Sequence, residues 1–395
     1  MASAVVREDD RQQPPACHPA LPAWIYNNAE MTRLELERIL RPSWQIACHE
    51  SELPRPGDYR ALELGPDSIL VLRDRAGVVR AFHNVCRHRG ARLLDGAGHC
   101  AGTVVCPYHG WSYNYEGSLV GVPGRETFPG LDRASYGLKP VHVEVMLGFV
   151  FVCLGDRPPP LRERWQPFLE QLAPYRFEDM VPLVPVSNED WDVDWKVAMD
   201  NYLESYHVPI GHPGLNRMFT PDYDDQHGAN GIACGTSWLK EQLSPRWSER
   251  AYQQLVGPTI RHLPETHSRC WRFYSVLPNL GVDVYPELMD FFQVLPRGPG
   301  KCTIRYAIYG LPDDRREMRV LRALSNRINN SVNAEDKWLC ERVQRGLASP
   351  SYTPGPLSLR ERWMLEFHDL LRAAIPEIDL PAPPAAFSRP AGTPP

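Results

Sequence analysis

The chain has 395 residues, 43% of them hydrophobic, and a formal net charge of −5, enough to bury a large core across two domains. The mild negative balance, with no block of like charge, argues against nucleic acid or a membrane surface as a partner. Ten scattered cysteines without a disulfide spacing fit a reducing cytoplasm, and the polar stretch Arg7 to Pro15 lacks the apolar run of a signal peptide.

In chain order, residues 1–20 read as unstructured, and a helix is expected from about Asn28 to Leu40, where Leu34, Leu36 and Ile39 fall near helical spacing. Residues 1–41 are taken as one segment. Residues 42–157 read as short strands broken by turns: Tyr59 to Leu64, Ser68 to Arg73, Gly77 to His83 and Thr103 to Cys106. His142 to Leu154 is a near-continuous β-branched run, too short to span a bilayer. Pro158-Pro159-Pro160 marks the exit from this all-β module. In 158–375 the texture changes. Helices are expected over Leu161 to Leu172, Asp194 to Tyr206, Arg315 to Leu347 and Leu357 to Ala374. Long strands are expected within Phe273 to Gly310, including Met289 to Leu295 and Cys302 to Tyr309. The mixture argues α+β. Residues 376–395 read as a proline-rich tail without order.

The all-β module carries Cys86-Arg87-His88-Arg89-Gly90 and Cys106-Pro107-Tyr108-His109-Gly110-Trp111. Each half offers one thiolate and one imidazole. Such a Cys2His2 set suits a single zinc or a [2Fe–2S] cluster in which two His serve one iron. Each half runs into glycine and so sits on a tight loop, and the second lacks the His-x3–5-His of a zinc finger. That favours the cluster, with zinc as the alternative.

The second domain carries Glu204, His207 and His212. Glu204 and His207 are three apart and share a helix face, whereas Pro209 should end the helix and leave His212 to the following turn. Two imidazoles with one carboxylate and open positions form the facial triad of Fe(II) oxygenases. The bland alternative is a pair of hydrogen-bonded surface histidines.

Together these motifs resemble the oxygenase component of Rieske non-haem iron oxygenases, the ring-hydroxylating dioxygenases and their monooxygenase relatives. Neither loop has the extra cysteine of respiratory Rieske proteins, which points to the lower-potential branch. The resemblance implies one [2Fe–2S] cluster held by Cys86, His88, Cys106 and His109. It also implies one mononuclear Fe(II) held by His207, His212 and a distant acid. That acid is Asp336, with its neighbour Glu335 as runner-up. Glu204 is expected to bridge, across a subunit boundary, to a cluster-ligating histidine of the next chain. The family usually has Asp there, and some relatives acting on quaternary amines have Glu. Asn201 is expected to line the iron pocket or simply to pack, and Trp111 to pack beneath the cluster. The resemblance further implies a helix-grip (START-like) antiparallel sheet, a head-to-tail homotrimer, a separate NAD(P)H-flavin reductase and a ferredoxin. No Gly-x-Gly-x-x-Gly follows a strand, so nicotinamide should not bind this chain.

The motifs leave the small-molecule substrate, oxidised with O2, open between an arene and a quaternary amine of the choline, carnitine or betaine kind. They also leave open whether one or two oxygen atoms are inserted. Trp271, Phe273, Tyr274, Tyr285, Phe291 and Phe292 would serve either substrate as a cage or a sandwich. A cation would want an acid nearby, whereas an arene pocket should be apolar. A reading from another class is an electron carrier: a Rieske ferredoxin fused to a non-catalytic binding domain.

Overall fold

The computed structural model describes residues 19–220, 224–227 and 230–388; the expected loose start at 1–18 and the tail end at 389–395 lie outside them. The first module is built from three small antiparallel sheets. One pairs Asp58–Leu64, Asp67–Arg73, Val79–His83 and Ala97–His99. A second holds Val104–Val105, Ser112–Tyr113 and Leu119–Gly121. The run from His142 to Leu154 folds back on itself as a hairpin, Met146 opposite Phe149. Leu147 and Gly148, both at positive φ (52° and 76°), make the two-residue turn that matches strand twist.

The second domain centres on a seven-stranded antiparallel sheet. Its order is Val181–Trp191, Lys301–Gly310, Met289–Gly298, Leu280–Val284, Cys270–Val276, Ile232–Trp238 and Asp224–His227. With the helices around it, the second domain is α+β. Side chains alternate across the sheet. Phe273, Asp283, Tyr285, Asp290, Phe292, Tyr306 and Ile308 line a cavity on one face. Tyr274, Val282, Val284, Met289, Ala307 and Tyr309 pack on the other, against Trp165 and Phe168. The helix Arg316–Leu347 closes the cavity side in the helix-grip manner. It presents Asn326, Asn329, Asn333, Asp336 and Cys340 to the cavity at three- and four-residue spacing.

Several elements escaped the sequence reading, the sheet strand Ile232–Trp238 among them. Val181–Trp191 is an edge strand whose Pro182 and Pro185 lie where the register shifts, positions that tolerate a missing N–H. Helix Trp247–Thr259 was also unforeseen. Three expectations need correcting. The helix expected over Leu161 to Leu172 is broken at Gln166–Phe168, which contains Pro167. The helix expected through Tyr206 stops at Tyr202. The tail expected from residue 376 is ordered to 388: Ile378 is fully buried, and Phe387 packs edge-on against Trp24.

The N-terminal segment packs on the second domain. Tyr26 and Met31 share a core with Trp195, Met199 and Phe367. Lys196 is fully buried between Glu35 at 2.6 Å and Asp194 at 2.8 Å, a pairing that keeps the ammonium charged but only partly offsets the desolvation of the two acids, whose pKa values stay raised. Arg305 of the large sheet donates to the carbonyls of Ile46 and Ala47, joining the two domains.

Candidate cluster loops and metal centre

The two Cys/His loops are built alike. The Cys86 N–H donates to Ala91 O at 2.8 Å, and the Gly90 N–H donates to Cys86 O at 3.1 Å. The Cys106 N–H to Trp111 O (2.8 Å) and the Gly110 N–H to Cys106 O (3.1 Å) repeat the pattern. Gly90 and Gly110 sit at φ 74° and 69°, a conformation that only glycine adopts freely. Both cysteines are buried. The His88 and His109 rings approach edge-on at 4.7 Å, and Trp111 stacks on His88 at 4.8 Å and 9°. Trp111 thus lies against a loop histidine and does not line the cavity of the second domain. Tyr113 Oη lies 3.3 Å from Cys86 Sγ and accepts the Arg87 N–H at 3.0 Å.

His88 Nδ1 is buried without a hydrogen-bond partner, a cost that a bound metal would remove. The four groups do not gather as ligands of one zinc would. Tetrahedral bonds of roughly 2.0–2.3 Å bring ligand atoms to about 3–4 Å of one another. Among the described residues, only His207, His212 and Asp336 bring three such atoms within 4.8 Å. The wider spacing of the loop groups fits a two-iron cluster.

In the second domain the helix Trp195–Tyr202 is capped by Asp194, whose side chain accepts the Lys196 N–H. The chain then turns, and a short helix Val208–Gly211 begins with Pro209 in its first turn, where a missing N–H costs nothing. Pro209 therefore lies in the first turn of a helix, contrary to the expectation that it ends one. His207 precedes this helix and His212 follows it, which turns the two rings towards each other.

His207 Nε2 is 3.1 Å from His212 Nε2 and 3.7 Å from Asp336 Oδ1, which is 2.9 Å from His212 Nε2. Each imidazole gives its other nitrogen to an acid. His207 Nδ1 bonds Glu204 Oε1, and the His207 N–H donates to Glu204 Oε2 at 3.0 Å. His212 Nδ1 bonds Glu335 Oε2 at 2.9 Å. A proton on each Nδ1 leaves both Nε2 lone pairs facing Asp336, the arrangement that presents imidazole to a metal. Asn201 Nδ2 donates to Asp336 Oδ1 at 2.7 Å. Burial disfavours charge on His212, but Asp336 and Glu335 outweigh it and hold its pKa above the ordinary value. The centre thus attracts a positive charge, as a cation site should. Glu335, weighed above as third ligand, stands behind His212 and not beside the centre.

The centre opens on a cavity of about 500 Å³, the size of a small-ligand site. The ring of Phe291 packs on the opposite sheet face against Phe149 and Tyr309; of the other five aromatic residues proposed from the sequence, Trp271, Phe273, Tyr285 and Phe292 line the cavity. Tyr274 does not: it lies on the opposite sheet face and donates to Gln171 at 2.5 Å. The sequence reading missed Asp283 and Asp290, which face the same cavity. Burial pushes Asp283 up to about 7 and Asp290 well above the usual carboxylate range.

The family model described as "Rieske [2Fe-2S] domain" matches residues 43–136, and that for "Ring hydroxylating alpha subunit (catalytic domain)" matches residues 184–377. Choline monooxygenase of Spinacia oleracea is 31% identical over 94% of this chain and 82% of its own length. The oxygenase subunit of glycine betaine monooxygenase from Chromohalobacter salexigens is 30% identical over 86% of this chain and 82% of its own. The chain is a Rieske non-haem iron oxygenase subunit. In fold it is similar to a quaternary ammonium Rieske monooxygenase solved with L-carnitine, at a TM-score of 0.76 and 24% identity over 91% of this chain and 96% of that one.

As the terminal oxygenase of its system, the Rieske subunit carries a [2Fe–2S] cluster in its first domain and mononuclear iron in its second. No described helix is long and apolar enough to cross a membrane.

Proposed function

We propose that this subunit monooxygenates a small alkylammonium compound of the choline or betaine kind. His207, His212 and Asp336 hold its iron, and Cys86, His88, Cys106 and His109 hold its cluster. The carrying observation is the cavity: a wall of aromatic rings that also presents Asp283 and Asp290. An arene gains nothing from two buried carboxylates, whereas an alkylammonium ion gains from rings and acids together. The choline and glycine betaine enzymes among the relatives support the same class.

When bound, the iron supplies open positions for oxygen and the cluster supplies electrons one at a time. One oxygen atom enters a C–H bond of the substrate and the other leaves as water, with two electrons from NAD(P)H and two protons balancing the change. Glu204 fixes the Nδ1–H tautomer of His207, Glu335 does so for His212, and Asn201 holds Asp336 in place. The aromatic walls orient the alkyl groups and exclude water. Glu204 also bridges to a cluster histidine of the neighbouring chain in a homotrimer. It retains lone pairs for that contact, and His109 is exposed on its loop. Electrons arrive from an NAD(P)H-flavin reductase through a ferredoxin. Nine free, buried cysteines among the described residues support a cytoplasmic setting.

Oxygen uptake by the iron-loaded protein, supplied with a reductase and NAD(P)H, tests this reading. Choline or a betaine should stimulate uptake with matched product. Uptake driven by an arene, with no response to any ammonium compound, overturns it.

A further inference from the structure

Within the cavity, Asp283 and Asp290 stand directly opposite each other on adjacent antiparallel strands. They belong to one row across the sheet, Gly235, Phe273, Asp283, Asp290 and Ile308. Like charges facing across strands destabilise a sheet, and a buried carboxylate needs a partner. Among the described residues, no ion pair joins either acid to a base. Asp283 instead accepts from the hydroxyls of Tyr202 (2.7 Å) and Tyr285 (3.5 Å), and the Tyr285 hydroxyl also lies near Asp290. All of these donors are neutral. Both acids nonetheless keep accessible surface, which so deep in the domain is surface facing the cavity.

The basic side chains lining the cavity are Lys337, Arg360 and Arg362, and among the described residues none of them pairs with Asp283 or Asp290. Lys337 is already paired with Glu189 at 2.6 Å, Arg360 is exposed, and Arg362 is exposed and pairs with Glu366. The long helix also lends the cavity neutral amides, from Asn326, Asn329, Asn330 and Asn333, of which Asn330 and Asn333 are exposed.

Resting on the alkylammonium reading, we infer that the substrate is a net cation without a carboxylate. Its ammonium group is seated against Asp283 and Asp290 beside Phe273, and a neutral hydrogen-bonding tail reaches the asparagine stripe. A zwitterion would bring its carboxylate into the field of the same acids, and Arg360, the one of the three lining bases without an ion pair among the described residues, is exposed to solvent. Charge separates choline from glycine betaine and L-carnitine here, although all three carry the same trimethylammonium head.

Calorimetric binding to the iron-loaded full chain tests this directly, with choline, glycine betaine and L-carnitine as probes. Choline should bind at least about tenfold more tightly than either zwitterion, since like charges at close range in a partly buried site oppose binding by that much or more. Asp290→Asn and Asp283→Asn should each weaken choline by about tenfold or more and narrow its lead. The Rieske absorption spectrum and a single cooperative melting transition certify that each variant folds. A zwitterion that binds as tightly as choline overturns the inference and leaves the alkylammonium reading standing, as does choline binding that both variants leave unchanged. If none of the three probes binds while an arene drives oxygen uptake, the alkylammonium reading itself falls.

Discussion

Asn201 donates to Asp336 Oδ1 at 2.7 Å, and that same oxygen lies 2.9 Å from His212 Nε2. A neutral amide on one helix thus fixes the carboxylate that a second helix offers to the metal centre. Removing such an outer partner costs about 10- to 100-fold in metal affinity. Asn201→Ala should therefore weaken mononuclear iron binding by that factor while the Rieske spectrum stays unchanged. Iron titration of the apo-site variant checks it.

The adjacent acids of the long helix separate in role. Asp336→Asn should strip the mononuclear iron. Glu335→Ala should retain it with about 10- to 100-fold weaker affinity, because only the support of His212 Nδ1 is lost. Iron content of the two variants after dialysis against a chelator distinguishes them. The reverse order would make Glu335 the ligand.

Both carboxylate oxygens of Glu204 engage His207. Glu204→Gln keeps the size and an acceptor oxygen but removes the charge. Both metals should remain, while coupled turnover falls by about 10- to 100-fold. Stopped-flow reoxidation of the reduced cluster in the presence of substrate should slow in parallel. Unchanged reoxidation would remove Glu204 from the electron path.

A hydrogen bond to a cluster thiolate stabilises the more negative, reduced state. Tyr113 Oη, 3.3 Å from Cys86 Sγ, is placed to make one. Tyr113→Phe should lower the midpoint potential of the cluster without changing its iron content. A redox titration followed by circular dichroism reads the shift.

Cation binding should depend on pH through Asp283. Burial raises this carboxyl to about 7, Asp336 of the long helix adds to the rise, and the hydroxyls of Tyr202 and Tyr285 counter it. Asp290 faces it from the neighbouring strand. A cation favours the ionised form and displaces the proton. Choline affinity should thus rise with pH, by up to about tenfold per unit, as pH approaches 7. The ligand-free fold should show the opposite slope: the unfolded chain ionises first, so stability falls as pH rises from about 4 to about 7. Calorimetry between pH 5 and 8 checks the first trend, and denaturant titration the second. Flat choline affinity over that range contradicts it.

The parts of the site legible in the sequence were the local ones. Cys86 with His88, Cys106 with His109, and His207 with His212 lie within a few residues of one another, so spacing alone suggests their chemistry. Asp336 is remote, and only the family resemblance singled it out. Asp283 and Asp290 went unread because their meeting depends on the pairing register of two strands, which an isolated sequence does not fix. Tyr274 was misplaced for a related reason: it neighbours Phe273, and adjacent strand residues face opposite ways. The strand Val181–Trp191 was hidden by its prolines, which an edge position and register shifts accommodate. The helix ending at Tyr202 was overextended because the sequence after it stays helix-compatible, while the chain must turn there for His207 and His212 to meet.

The central claim is that one chain houses two different iron centres. Metal and acid-labile sulfide analysis tests it most directly, comparing the reconstituted protein with its His212→Ala variant. The account predicts three irons and two sulfides per chain for the protein, and two irons and two sulfides for the variant, with the same Rieske spectrum. Two irons in both, or zinc in place of iron at the Cys86 and Cys106 loops, would contradict it.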